Sequence, residues 1–325
     1  MVDAKLTFSQ VLEALQDLSQ PFPNQHLPHF SDIDTDELEA LLEVWSHIEP
    51  GRKQQLLSDL DQLAEEDTLV SFDNLARALL TDDDPQVREL SIRLLDECED
   101  TKLAPTFVRI LSGDENNDVR AAAATALGMF VEKGELEEIP AETHRAVENA
   151  LLLAAGGQEH PEVQRRALES LGYSSRTEVA GLLESAYQRP EPAWIASALF
   201  AMGRSYDRRW ADHVLSMLPN DDQRIRLAAV EAAGELGLPS ARTILLRMLE
   251  EEDDDLVFGA LVWSLSQIGG EDVRTYLVSL LDQYEEEDQI SYIEDALANL
   301  DFTEGLNEFD LIAFDADDEL ELPEE

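Results

Sequence analysis

The residues able to do chemistry are few and scattered. Six histidines occur, His26, His29, His47, His144, His160 and His213. Only His26 and His29 are close enough in sequence to share a metal, and they lie in a proline-rich stretch with no third ligand at a metal-site spacing. Cys98 is the single cysteine, so neither an internal disulfide nor a thiolate cluster is available, and its apolar surroundings read as a packed thiol. The acidic runs Asp82-Asp83-Asp84 and Glu250 to Asp255 lack the loop glycine and ligand spacing of an EF-hand and read as solvated turns and helix ends. No phosphate-binding glycine loop and no Gly-x-Ser-x-Gly elbow is present. The expectation is a chain with no catalytic residue, no metal site and no cofactor, acting without enzymatic turnover.

The elements that position these residues repeat. Asp118-Val119-Arg120-Ala121 … Ala126-Leu127-Gly128 aligns with Glu162-Val163 … Leu171-Gly172, with Ala193-Trp194 … Met202-Gly203 and with Arg224-Ile225 … Ala233-Gly234. In each copy a large apolar residue is followed at +4 by a small one, at +7 by Ala or Ser, at +8 by an apolar residue and at +9 by glycine. Fixed-period self-similarity of about thirty-one residues means stacked supersecondary units. Breakers such as Asp84-Pro85, His160-Pro161, Pro190-Glu191-Pro192 and Pro219-Asn220 separate helical segments, with proline placed where a helix can start. No segment alternates with period two, so strands are not expected. The fold expected is an all-α, right-handed α-solenoid of about seven to eight antiparallel helix pairs over residues 34–300. A short helix and an extended proline-rich linker precede it over residues 1–33, and an acidic tail follows over residues 301–325.

If the second helix of each pair faces the concave side, positions 0, +4, +7 and +8 pack inward and +2, +6 and +10 share an exposed stripe. That stripe contains Met129, Arg165, Tyr173, Phe200, Arg204, Leu227 and Trp263. Aromatic, methionine and arginine side chains among small neighbours are the composition of a protein-binding surface. A one-residue register error would instead turn Phe200 and Trp263 into core. Two loops that follow second helices, carrying Arg176 and Tyr206 and continuing into Arg208, Arg209 and Trp210, form a second cluster. It can seat an anionic group, or its arginines can pair with local carboxylates. In the tail, Phe309, Leu311, Ile312 and Phe314 stand among acids, either as a cap on the last repeat or as an interaction segment.

The net charge of −48 is unevenly spread. Residues 1–100 carry 24 Asp and Glu against 6 Lys and Arg, and residues 250–325 carry 26 against one, while the middle is nearly balanced. Such charge repels nucleic acid and anionic lipid and attracts basic groups; it also keeps solenoid ends from stacking. No run approaches the ~20 apolar residues of a membrane span. The N-terminal residues show no basic-then-apolar secretory pattern, so a cytoplasmic monomer is expected.

The residues Asp118-Val119-Arg120-Ala121 … Leu127-Gly128 and Arg224-Ile225-Arg226-Leu227 … Ala233-Gly234 resemble the HEAT-repeat family, in its phycobilin-lyase-like subgroup of short repeats. The resemblance covers roughly residues 70–300. It implies that the arginine after the large apolar residue bonds an Asp of a neighbouring turn. Arg88, Arg120 and Arg226 match that slot, whereas Gln164, Ile195 and Phe258 do not. An iron-binding hydroxylase of this fold uses His-Glu dipeptides, and this sequence has none. The function expected is a protein-binding scaffold or adaptor with a neutral or basic protein partner. The alternative is a phycobilin-lyase-like enzyme or accessory factor in protein modification.

Overall fold

In the computed structural model, residues 6–283 and 289–303 are described. Every repeated apolar position is buried. Val119, Val163, Trp194, Ile225 and Val257 at position 0 are at most 7 % exposed, and the small residues at +4 and +7 are sealed behind them. Helical periodicity puts those positions on one face, and that face builds the core.

The helices run as successive pairs. Helix α1 (Phe8–Gln16) is followed by the pairs α2 (Thr35–Trp45) with α3 (Pro50–Glu66), and α4 (Asp73–Leu79) with α5 (Pro85–Arg93). Then come α6 (Ala104–Gly113) with α7 (Asn117–Glu135), and α8 (Ala141–Gly156) with α9 (Pro161–Ser170). The later pairs are α10 (Thr177–Tyr187) with α11 (Pro192–Arg204), α12 (Ala211–Met217) with α13 (Gln223–Glu235), and α14 (Arg242–Leu249) with α15 (Asp255–Ile268). Helix α16 (Glu271–Leu281) and a helix over 289–303 close the series. The fold is an all-α helical solenoid with no strand among the described residues. The chain divides into two compact units, residues 1–174 and 175–325. No described helix is long and apolar enough to cross a membrane.

Starts are set by caps. Asp84, Asn116, Asp222 and Asp254 each accept a backbone N–H from the first turn of the following helix, and Pro50, Pro85, Pro161 and Pro192 occupy first-turn positions where no N–H is needed.

Within each unit the second helices meet through their small residues. A Cβ on Gly128 of α7 would lie 3.1 Å from Ser170 Oγ of α9, and the Ser170 hydroxyl donates to the Ala124 carbonyl at 2.8 Å. In the second unit a Cβ on Gly203 of α11 would lie 2.9 Å from the Ala232 Cα of α13. One on Gly234 of α13 would lie 2.8 Å from the Ser264 Cα of α15, where the Ser264 hydroxyl donates to the Val230 carbonyl at 2.9 Å. Glycine at +9 thus faces the +7 residue of the next second helix, and backbone meets backbone.

The arginine slot is filled as the repeat implies, with a wider choice of acceptor. Arg88 is bidentate to Asp114 at 2.8 Å, Arg120 reaches Glu159 at 3.0 Å, and Arg226 is bidentate to Glu252 at 3.3 Å. Each also donates to carbonyls of the turn before its own helix. Gln164 keeps only that last bond, to the Gly157 carbonyl at 2.7 Å.

Residues 21–33, which the prolines suggest as an extended linker, fold differently. Asn24–Phe30 is a 3-10 helix, and Phe22, Leu27, Phe30 and Ile33 are buried against Val11, Leu15, Leu41, Trp45 and Leu57. Prolines set the local geometry, but four large apolar side chains have a core to enter, and their burial decides the outcome. Arg52 fixes the approach by donating to the carbonyls of Asp17 and Gln20 at 2.9 and 2.6 Å. The tail residues Phe309, Leu311, Ile312 and Phe314 lie outside the described residues.

The close helix approach predicts a contrast between two glycines. Gly203→Val should cost about 1–3 kcal/mol by forcing α11 and α13 apart. Gly181→Ala, on the exposed face of α10 with nothing within 4 Å of the new Cβ, should be neutral or stabilising by up to about 1 kcal/mol. Thermal melts of the two variants check this.

Candidate functional site

The first unit contains a groove of about 1340 Å³. The end of α3 supplies Asp61, Ala64 and Glu65, and the turn into α4 supplies Thr68 and Val70 to Asp73. Helix α5 adds Gln86, Glu89, Ile92 and Arg93, α7 adds Asp118, Ala121, Ala122 and Thr125, and α9 adds Glu162 and Arg166. The lining positions on α5 and α7 include +2 and +6 of the repeat, Glu89 with Arg93 and Ala121 with Thr125, as the helical register requires.

The wall between Leu94 and Glu99 exists because α5 ends early. The α-helix stops at Arg93. In the copy of the repeat that begins with α5, Leu94 and Asp96 occupy the +7 and +9 places that hold a small residue and glycine in the later copies. The chain then leaves the helix, and Asp96, Glu97, Cys98 and Glu99 line the groove.

The groove is acidic. Ten of its lining residues are Asp or Glu and two are Arg, and both arginines are engaged by carboxylates. Arg93 meets Asp61 at 2.5 Å, and Arg166 meets Glu162 and Glu169 at 2.9 and 2.8 Å. Burial pushes the Glu89 carboxyl above the ordinary range against the pull of Arg93, and Asp118 and Asp61 push the same way. Burial likewise raises Asp61, opposed by Arg93 and aided by Glu65. These carboxylates are held where their charge is not fully compensated, which favours an incoming cation. Cys98 is on this wall rather than in an apolar helix. Its thiol donates to Asp73 at 2.7 Å, and burial followed by that bond pushes its pKa up, so it is not a reactive thiolate.

The stripe residues fall in both units. In the first, Met129, Arg165 and Tyr173 are partly buried, and Arg165 pairs with Glu162. In the second, Phe200 and Leu227 are partly buried, Trp263 is 46 % exposed, and the Arg204 guanidinium lies 4.1 Å from the Phe200 ring centre. Phe200 and Trp263 are therefore outside the core. Among the edge-loop residues, Arg176 bonds Glu178 at 2.7 Å, Arg209 pairs with Asp207, and Arg208 donates to the Gly237 carbonyl at 3.3 Å. Tyr206 is exposed at positive φ, whereas Trp210 is buried and packs 5.3 Å from the His213 ring, so Trp210 belongs to the core and not to a surface cluster. His26 is buried against Phe22 and His29 is exposed.

One constellation has no counterpart in the sequence reading. Glu135, His144 and Glu148 bring their ligand atoms within 4.8 Å of one another. The signal available was a histidine and a glutamate four residues apart on α8, which places both on one face.

Repeated helix pairs with small-residue seams, arginine slots and an inner groove define an α-solenoid of the HEAT type. The chain belongs to the HEAT-repeat family: the family model described as HEAT repeats matches residues 72–141, 179–266 and 211–298. Among solved structures it is similar to the complex of CpcE and CpcF of phycocyanin lyase from Nostoc sp. PCC7120, at 15 % identity and TM-score 0.50, covering 92 % of this chain and 97 % of that one. It is also similar to yeast importin-beta, Kap95p, at 13 % identity and TM-score 0.40, covering 90 % of this chain and 42 % of that one. These likenesses concern the fold alone. No curated protein matches its sequence.

The groove charge makes a prediction with a definite sign. Folding raises the Glu89 pKa, so its contribution to stability is least favourable above the folded value and improves as pH falls through the window down to the ordinary Glu value. Glu89→Gln should therefore melt higher than the parent at neutral pH, and the gap should close as pH drops below that window. Melting curves of both proteins across pH check it.

Proposed function

We propose that this chain is a non-enzymatic protein-binding scaffold whose first unit seats a basic polypeptide segment in the groove lined by α3, α5, α7 and α9. The observation that carries the reading is the excess of carboxylates in that groove, two of them with raised pKa values. A lysine or arginine side chain relieves the repulsion among Asp61, Glu89 and Asp118, and the guanidinium fork matches a carboxylate pair. Ala121 and Ala122 on the groove floor leave room for a backbone and for aliphatic stems. The same field opposes nucleic acid and anionic lipid. A tetrapyrrole with carboxylate side groups would meet the same repulsion, which weighs against the lyase-type alternative.

The second unit offers a separate contact surface for a protein partner in Phe200, Arg204, Leu227 and Trp263. Its aromatic and arginine content is that of an interface centre.

A fluorescent peptide rich in lysine and arginine, titrated into the full chain, tests the groove reading. Asp61→Asn with Glu89→Gln and Asp118→Asn should weaken binding by roughly tenfold or more while helical content stays unchanged, and the parent affinity should fall as salt rises. Equal binding by the triple variant, or a preference for duplex DNA over the peptide, would overturn the proposal.

A further inference from the structure

The Glu135–His144–Glu148 constellation is built from three neighbouring features of the first unit. Glu135 is the last residue of α7, and His144 and Glu148 stand one turn apart on α8. Gly134 makes the arrangement possible, because a Cβ there would fall onto the His144 ring. The imidazole therefore lies against bare backbone, with Nε2 3.7 Å from Glu148 Oε1 and 3.9 Å from Glu135 Oε1. Glu148 is only 4 % exposed, and the Ser174 hydroxyl donates to its Oε1 at 2.5 Å. His144 Nε2 is itself buried and has no hydrogen-bond partner.

Both separations exceed the hydrogen-bond range of about 2.7–3.2 Å. They lie near the ~3.4–3.6 Å that separates two donors bound at about 2.1–2.2 Å to one tetrahedral ion. The donor set of one imidazole nitrogen and two carboxylate oxygens suits zinc-class ions; calcium and magnesium prefer oxygen donors alone.

We propose that Glu135, His144 and Glu148 hold one divalent transition-metal ion of the zinc class. The ion clamps the end of α7 to the first turns of α8, and Ser174 orients the Glu148 carboxylate from behind. This site is independent of the groove and does not rest on the binding function.

The test uses the full-length chain, stripped with chelator and then titrated with zinc against a chromophoric competitor in millimolar magnesium, so that loosely held ions on the acidic surface are displaced. The expected result is one zinc per chain and a higher melting temperature. His144→Ala and Glu135→Gln should each remove the site, and Ser174→Ala should weaken it by roughly tenfold. Cobalt should give visible absorption in the parent that is absent in His144→Ala. If His144→Ala does not fold, Glu135→Gln decides, since its side chain is partly exposed and the change is isosteric. Absence of saturable one-to-one zinc binding, or zinc binding that survives both His144→Ala and Glu135→Gln, would overturn the proposal.

Discussion

The contact between a +9 glycine and the +7 residue of the next second helix sets the geometry of each unit. A Cβ on Gly203 or Gly234 would press on the Cα of Ala232 or Ser264, and one on Gly128 would press on the Ser170 hydroxyl, so each pair of helices approaches closely. Two of these contacts add a serine hydroxyl bonded to a carbonyl of the neighbouring helix. That bond satisfies a polar group that would otherwise be buried unpaired, at a cost of about 1–3 kcal/mol. Close approach on this line fixes which residues turn toward the inner face, since each helix can present only one stripe there. Where the motif lapses, at Leu94 and Asp96 after α5, the helix ends and the chain forms the groove wall.

Carboxylates in this chain do two opposite jobs, and their pKa values separate them. Asp114 is partly buried, which pushes its pKa up, but its bonds to Arg88 and to the Asn116 N–H outweigh that, and the net shift is downward. Its ionised form is therefore favoured by the fold. Glu89 and Asp61 are shifted upward by burial first, with Asp118 and Asp61 adding to Glu89 and Glu65 adding to Asp61, so the fold tolerates their charge without rewarding it. Charge kept at the expense of stability and gathered in one groove is what a binding surface for cations requires. The two arginines that line the groove offset only part of it: Arg93 pairs with Asp61 and Arg166 with Glu162, against ten lining carboxylates.

Much of the fold is legible in the sequence because the repeat is local. Periodicity assigns the buried positions from Val119 to Leu265, and turn chemistry places the helix starts. Residues 21–33 mislead because proline speaks of backbone geometry and is silent about the core that Phe22, Leu27 and Phe30 enter. The groove is half legible. Its register follows from helical spacing, but its lining comes from α3, the α3–α4 turn and the chain after α5, where the repeat motif is weakest. Trp210 reads as surface because its neighbours are arginines; only the packed His213 shows otherwise. The Glu135–His144–Glu148 constellation is hidden because one ligand closes a helix and two belong to the next. Gly134, which admits the ring, looks in sequence like one more helix-end glycine.

The most direct measurement is photo-crosslinking of the full chain with an arginine-rich peptide carrying a benzophenone at one end, with the adducts mapped by mass spectrometry. The account predicts adducts on residues 61–73, 86–99 and 118–125, lost when excess unlabelled basic peptide or high salt is present. Adducts confined to α10 through α16, or spread evenly over the acidic surface of both units, would contradict it.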